Sequence, residues 1–309
     1  MILVNQNAEY LQQESGVEGI YKQIETCART CYKSLDKQDG TFEGSKKFVD
    51  RMMASHHTAM LESCSVYLKC KRNFYYYNNI DLEEEDNPLT KYLTNEYTKC
   101  NLDDQYLYVT TNLRVLVDNG WMDDLKYVVD QEPLHEKRYT FRIVTDRAVA
   151  NEIVRHRKFS FAQESTRFCA YDKEKFGGDI AYILPEWFED ANVQQQEAFM
   201  QIMKDTEDFY FALRGAWDER KPDKRFKTGF KDNPLKPEQA RCVLPLDLKT
   251  ELCITGYASD WRFFLDLRLF GKTGKPHPQI QKLCELIEED MKKNGIYDDV
   301  MSHDSVFSD

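Results

Sequence analysis

An α/β fold is what the sequence predicts, on three observations. Apolar residues recur at helical spacing in residues 17–32, 146–157, 199–213 and 280–291. Between those stretches lie segments of strand character: 63–69 is rich in β-branched and aromatic residues, and 139–144 alternates apolar with polar. With 309 residues, 41% of them hydrophobic and 31% charged, the chain is long enough to bury a sizeable core.

The same composition excludes several function classes. No apolar run approaches the roughly 18 residues needed to span a membrane, and Met1 to Gln6 carry no basic segment ahead of a long apolar one, so a cytoplasmic protein is expected. A formal net charge of -11 argues against non-specific nucleic-acid binding, which needs a broad basic face. The nine cysteines are an odd number scattered through ordinary helix, strand and loop, which fits reduced thiols better than a disulfide framework. Cys27 and Cys31 lie four apart without a second close pair, so no metal site is expected.

Taken in order, the first helix buries Ile20, Ile24, Cys27, Ala28 and Cys31. Ser45 is the expected cap of a second helix with Phe48, Val49, Met52 and Met53 inward. His57 and Glu62 precede the strand that ends near Lys69. From Lys71 to Gln105 the chain turns polar and tyrosine-rich, and its acidic run Asp81 to Asp86, closed by Asn87-Pro88, reads as a solvated loop. Order returns at Tyr106, with Thr111 expected to cap a short helix that stops at Asn119-Gly120. After the strand at 139–144, Asp146 reads as the N-cap of a helix running through Arg157, with Val149, Ala150, Ile153 and Val154 inward. A long amphipathic helix carries Phe199, Ile202, Met203, Thr206, Phe209 and Leu213 and ends near Gly215; its aromatic stripe is core. The basic, proline-bearing segment 218–237 is a loop, and Pro237 opens a short helix containing Arg241. Ser259 is the expected cap of a helix with Trp261, Phe264, Leu265 and Arg268 on one face. The last helix buries Ile280, Leu283, Cys284, Ile287 and Met291, carries Lys292 and Lys293 in its final turn and stops at Gly295. An acidic tail, about 296–309, is expected to fray.

One stretch runs against the global charge. Arg155-His156-Arg157 is followed by Ser160, then by Gln163, Ser165, Thr166 and Arg167, in a chain that is otherwise acidic. Guanidinium groups offer a planar fork of donors at any working pH, which suits phosphate and a polarisable heterocycle. A helix end also favours Arg and His, and for Arg155 alone that structural reading leads; for the spaced set it does not.

This pattern, Arg-His-Arg, then Ser, then Ser-x-Arg-aromatic, resembles the signature of the flavin-dependent thymidylate synthases, with Phe168 in place of Tyr and Ala162 in place of Asn. Three further blocks agree in order: Ala28-Arg29 with Tyr32 and Ser34; His57 with Glu62; and Ala240-Arg241 with Leu244-Pro245, Thr250 and Leu267-Arg268. Ser63 stands where a His is common, and Tyr257, Ser259 and Phe263 stand where many members place Asn, Arg and Asn or His.

The resemblance implies an α/β fold with a mixed sheet and flanking helices, one domain over residues 1–309 with a polar insertion at about 71–105. It implies methylation of dUMP to dTMP, with methylenetetrahydrofolate giving the carbon and NADPH, through FAD, the hydride. A homotetramer with active sites between subunits is implied too. By the same resemblance Arg268 polarises the uracil, and Glu152, Arg155, Gln163, Ser165, Thr166, Arg167, Arg241 and Arg268 hold dUMP. His57, Ala59, Glu62, Arg155, His156, Arg157, Gln163, Tyr257, Ser259 and Phe263 are the positions for FAD. Ser165 is not expected to be a nucleophile, because its only local base, His156, is nine residues away.

Two rivals come from other classes. A non-catalytic nucleotide- or RNA-binding module could use the same arginines. A phosphate-loop NTPase built on Gly271-Lys272-Thr273 fails, because its pattern needs glycine at Asp266 and a preceding strand.

Overall fold

The structure is a computed structural model that describes every residue except 73, 78–79, 84–86, 174–177, 216–232 and 308–309. Strand β1 (Ile2–Val4) pairs in parallel with β10 (Ala181–Ile183), while β2 (Asn7–Tyr10) opens the central sheet. That sheet has the order β2-β8-β11-β9, with β8 at Arg138–Asp146, β9 at Ser160–Gln163 and β11 at Lys249–Tyr257. All three of its pairings are antiparallel, so among the described strands the parallel element of the α/β architecture is the β1–β10 pair. The backbone of β8 and β11 is paired from Lys249 opposite Asp146 to Tyr257 opposite Arg138, because both are rich in β-branched and aromatic residues and carry no Pro.

One face of this sheet is covered by α7 (Ala258–Arg268) and α8 (Pro278–Lys293), burying Phe141, Ile143, Trp261, Phe264, Ile280, Leu283 and Ile287. The five apolar positions expected to face inward on α8 are all fully buried. A second core joins α1 (Gly16–Tyr32) and α2 (Phe42–Ala54) to a three-stranded sheet of β3 (Val66–Lys71), β6 (Lys99–Leu102) and β7 (Tyr106–Thr111). A third packs α5 (Val193–Leu213) on β10. All nine cysteines are free thiols. No helix among the described residues is long and apolar enough to cross a membrane, and no cluster of three metal-ligating residues occurs among them.

Several expected boundaries move, each for a local reason. Helix α2 is capped by Thr41, whose hydroxyl accepts from the Gly44 N–H at 3.0 Å; Ser45 is buried and donates to Glu25 instead. The short helix α3 (Leu113–Asn119) is capped by the Asn112 side chain, since Thr111 is already the last residue of β7. Asp146 does cap α4 (Arg147–Ile153), but the helix ends before Arg155 because the chain tightens through i→i+3 bonds and turns into β9. Helix α7 starts at Ala258, so Ser259 lies inside its first turn and Tyr257 holds the cap position.

The polar segment is not a loop throughout. β4 (Phe74–Tyr77) and β5 (Ile80–Glu83) pair antiparallel and β6 pairs with β7, because backbone pairing is indifferent to side-chain polarity. Residues 84–86 of the acidic run, and 218–232 of the expected basic loop, lie outside the described residues. The tail is docked: α9 (Tyr297–Met301) buries Val300, and Asp299 takes the Tyr139 hydroxyl at 2.6 Å and the Lys137 ammonium at 2.6 Å. Pro237 opens α6 (Pro237–Ala240), and Arg241 follows in a 3-10 turn. Gly271 to Gly274 turn between α7 and α8 with a helix, not a strand, before them.

Candidate active site

The turn after α4 reverses the chain within a few residues and leaves Arg155, His156, Arg157 and Lys158 at the mouth of a cleft of about 1020 Å³. Phe159 anchors that turn, its ring buried against Trp261 at 4.8 Å and Phe264 at 5.9 Å. Gly256 makes the packing possible: a Cβ there would meet Phe159 Cδ1 at 2.5 Å. Arg268, at the end of α7, reaches the same cleft. Its Nε donates to His156 Nε2 at 3.1 Å and its Nη1 donates to Glu152 Oε2 at 2.9 Å.

This pairing fixes the chemistry of the imidazole. Burial, and then the neighbouring Arg268 charge, push the His156 pKa down to about 4. The ring is therefore neutral at physiological pH, and because Nε2 accepts, its proton is on Nδ1. Glu152 and His156 thus fix the direction of a cation of which further N–H donors remain free for a ligand.

The opposite end of α7 supplies another wall. The Tyr257 hydroxyl donates to Thr110 O at 2.9 Å, and burial pushes its pKa up to about 12. Phe263 lines the cleft and stacks on Phe307 of the tail at 5.4 Å. Glu62 lines it too, with its carboxylate engaged by Arg114. Ser259 is not among the residues that line the cleft, but Lys99, which is, donates its ammonium to the Ser259 hydroxyl at 2.8 Å.

The remaining expected residues lie elsewhere. Gln163 ends β9, and Ser165, Thr166 and Arg167 follow it, so the strand carries them roughly 10 Å from Ser160. There Arg241 Nη1 donates to Thr166 Oγ1 at 3.1 Å, and Ser165 Oγ accepts from the Arg167 N–H at 3.3 Å. Arg167 and Arg241 are both exposed. The Gln163 amide donates to Thr250 Oγ1 at 3.5 Å. His57 and Ala59 are exposed before β3 and do not line the cleft. His156 stands at the far end of β9 from Ser165, so it is not placed to activate that hydroxyl.

Sequence reasoning missed two groups. Arg138, Lys158, Asp260 and the segment Asn95 to Lys99 line the cleft; Lys99 lies in the polar insertion, where the sequence carried no functional signal. A second cleft of about 540 Å³, near the Ser165 group, holds Lys33, Lys249, Glu164 and Glu251. Both ammonium groups bond Glu251, and they stand 3.4 and 3.6 Å from Glu164 Oε2. Burial alone would raise the Glu251 pKa, but Lys249 and Lys33 hold it below the usual carboxylate range. The i, i+2 spacing of Lys249 and Glu251 on one strand face was the legible hint.

Comparison with known proteins gives one family model, described as thymidylate synthase complementing protein, matching residues 118–294. A flavin-dependent thymidylate synthase of Corynebacterium efficiens is 32% identical over 126 residues, 40% of this chain and 45% of that protein. One from Synechocystis is 28% identical over 147 residues, 46% of this chain and 61% of that protein. The matched stretch thus spans less than half the length of the Corynebacterium relative. Among solved structures, a UMP/dUMP methylase, PolB from Streptomyces cacaoi bound with 5-Br dUMP, aligns over 98% of this chain and 97% of its own at 15% identity, with a TM-score of 0.43.

Proposed function

The chain belongs to the thymidylate synthase complementing protein family, and on that premise we propose that it is a flavin-dependent thymidylate synthase. It converts dUMP to dTMP, taking the carbon from methylenetetrahydrofolate and the hydride from NADPH through FAD. The observation that carries the reading is Arg268, bonded to Glu152 and to a neutral His156, at a cleft where Arg155 and Arg157 have no side-chain partner among the described residues.

The residues present fit a flavin dinucleotide. The cleft, about 1020 Å³, is at the upper end of the ~300–1,000 Å³ typical of small-molecule sites. Its lining combines aromatic faces, Tyr257 and Phe263, with uncompensated cations, and buried phosphates need several fixed donors to offset desolvation. Bound there, the flavin would supply the hydride chemistry.

The protein's own contribution is electrostatic. Arg268 brings a fixed positive charge whose direction is set by two bonds before any ligand arrives, so an electron-rich pyrimidine is stabilised without reorganisation. A protonated His156 could not accept from Arg268, and the depressed pKa keeps that acceptor available across the working range. Ser165, Thr166, Arg167 and Arg241 form the second half of the nucleotide site, gripping phosphate. Because they sit at the other end of β9, we propose that a second copy of the chain brings them to the cleft, in a homotetramer with active sites between subunits. The reading also carries a cytoplasmic location.

The test is product formation by purified protein supplied with FAD, dUMP, methylenetetrahydrofolate and NADPH. dTMP should form, and omission of any one of these should abolish it. Flavin-loaded protein that makes no dTMP in the complete mixture would refute the reading.

A further inference from the structure

The cations of the cleft fall into two kinds. Arg114 is neutralised by Glu62 and by Asp118 at 2.9 Å. Arg138 gives its guanidinium to the carbonyls of Cys64, Thr111 and Glu62. Arg268 is held by Glu152 and His156. These three are already engaged.

Lys99 is different. Its ammonium donates to the neutral Ser259 hydroxyl at 2.8 Å and lies over the Tyr257 ring, 4.5 Å from the centroid. Its ion pair with Glu136 is long, at 3.7 Å, the Asp260 carboxylate of the same cleft also feels its charge, and the side chain keeps 37% of its surface exposed. A hydroxyl and a ring face orient a cation without cancelling its charge. Two N–H donors of Lys99 remain, and because the Ser259 oxygen accepts from Lys99, its own proton is free to be donated.

The surroundings are built to hold this arrangement. The Tyr257 hydroxyl is bonded to Thr110 O and to Tyr97 O, so the ring is clamped between β7 and the polar segment. Lys99 itself is fixed in β6, paired opposite Thr110. Thus two of the positions where this chain departs from the family pattern, Tyr257 and Ser259, are engaged by Tyr97 and Lys99 of the polar segment.

We propose that Lys99, with the Ser259 hydroxyl, is an anion subsite of the cleft that takes a phosphate group of a nucleotide cofactor. The polar segment is thereby part of the binding site. The inference rests on the reading that the cleft holds a flavin dinucleotide. Two phosphates share the required chemistry: the pyrophosphate of FAD and the 2′-phosphate of NADPH.

The experiment uses the full chain as wild type, Lys99→Gln and Lys99→Arg. Affinities for FAD and for riboflavin, which lacks phosphate, are read by flavin fluorescence, and KM is measured for NADPH and NADH. A FAD pyrophosphate at the subsite predicts a roughly tenfold or larger loss of FAD affinity in Lys99→Gln. Riboflavin affinity should be unchanged, and Lys99→Arg should recover most of the loss. An unchanged FAD affinity with KM rising for NADPH but not NADH would assign the subsite to the 2′-phosphate. Equal weakening of FAD and riboflavin would mean that Lys99 only props Tyr257, and no change in any of these would also overturn the proposal. Wild-type protein that binds no flavin would instead remove the functional reading and, with it, this inference.

Discussion

Gly256→Ala should unsettle the active-site turn through a single steric contact. Gly256 is buried in β11, and a Cβ would stand 2.5 Å from Phe159 Cδ1 and 2.6 Å from Cε1, where carbon atoms prefer ~3.5–4.0 Å. The ring must therefore retreat by about 1 Å. It cannot do so freely. Trp261 packs at 4.8 Å and is itself tied by its indole N–H to Tyr139 O at 3.1 Å. Overpacking of this kind costs about 1–3 kcal/mol, and replacing glycine where the backbone tolerates alanine returns about 0.4–1 kcal/mol. The net loss should be about 1–2 kcal/mol. The Phe159 N–H bonds His156 O at 3.1 Å, so the displacement passes to the turn and flavin affinity should fall as well. Urea denaturation of the single variants and of Gly256→Ala with Phe159→Leu closes a cycle. Relief of the clash by the smaller side chain predicts a coupling of at least about 1 kcal/mol. A neutral or stabilising Gly256→Ala, or additive effects, would refute the reasoning.

The other predictions test separate links. Arg268→Ala should lower turnover by ~10²-fold or more while leaving flavin content near wild type, and unchanged turnover would remove the polarising role. Mixing Arg268→Ala subunits with Arg167→Ala subunits should restore about a quarter of wild-type activity if each site draws on two chains, whereas two inactive variants that stay inactive on mixing would contradict shared sites. His156 is held neutral in the fold, so the stability it contributes is present above its ordinary pKa of 6.5 and is lost as pH falls towards about 4. Screening of a partly exposed ring reduces the expected loss to about 1–2 kcal/mol, read as the difference between wild type and His156→Gln denatured at pH 7 and pH 5. Lys33 ends α1 at φ 51°, left-handed backbone that suits glycine, while its ammonium serves Glu251 and Glu164. Lys33→Gly and Lys33→Met both lose the ion pairs, but the glycine variant should be the more stable of the two by about 1 kcal/mol, as thermal melts would show.

What was legible in the sequence is what depends on short-range pattern. The inward faces of α1 and α8 followed from spacing alone, and Asp146 as a cap needed only its position before an apolar run. Caps failed where two polar residues competed. Ser45 was drawn into the core by Glu25, a partner twenty residues away that no local rule weighs. The Arg-His-Arg stretch was placed in a helix because α4 has no sequence-level stop; what ends it is the pairing of β9 with β11, a contact about ninety residues apart.

The division of the site was equally invisible. Arg155 and Arg167 share one motif, yet the extended backbone between them separates their side chains. Conversely Lys99 and Ser259, far apart in sequence, meet because β6 and the start of α7 converge on Tyr257. The substitutions at Tyr257, Ser259 and Phe263 read as bare departures from a pattern until their partners, Tyr97, Lys99 and Phe307, were in view.

The central claim, that one cleft serves flavin and nucleotide together, is tested most directly by the visible absorption spectrum of the purified protein with FAD, before and after addition of dUMP. The account predicts a bound oxidised flavin whose band shifts when dUMP is added. A protein that takes up no FAD, or whose flavin band is indifferent to saturating dUMP, would contradict it.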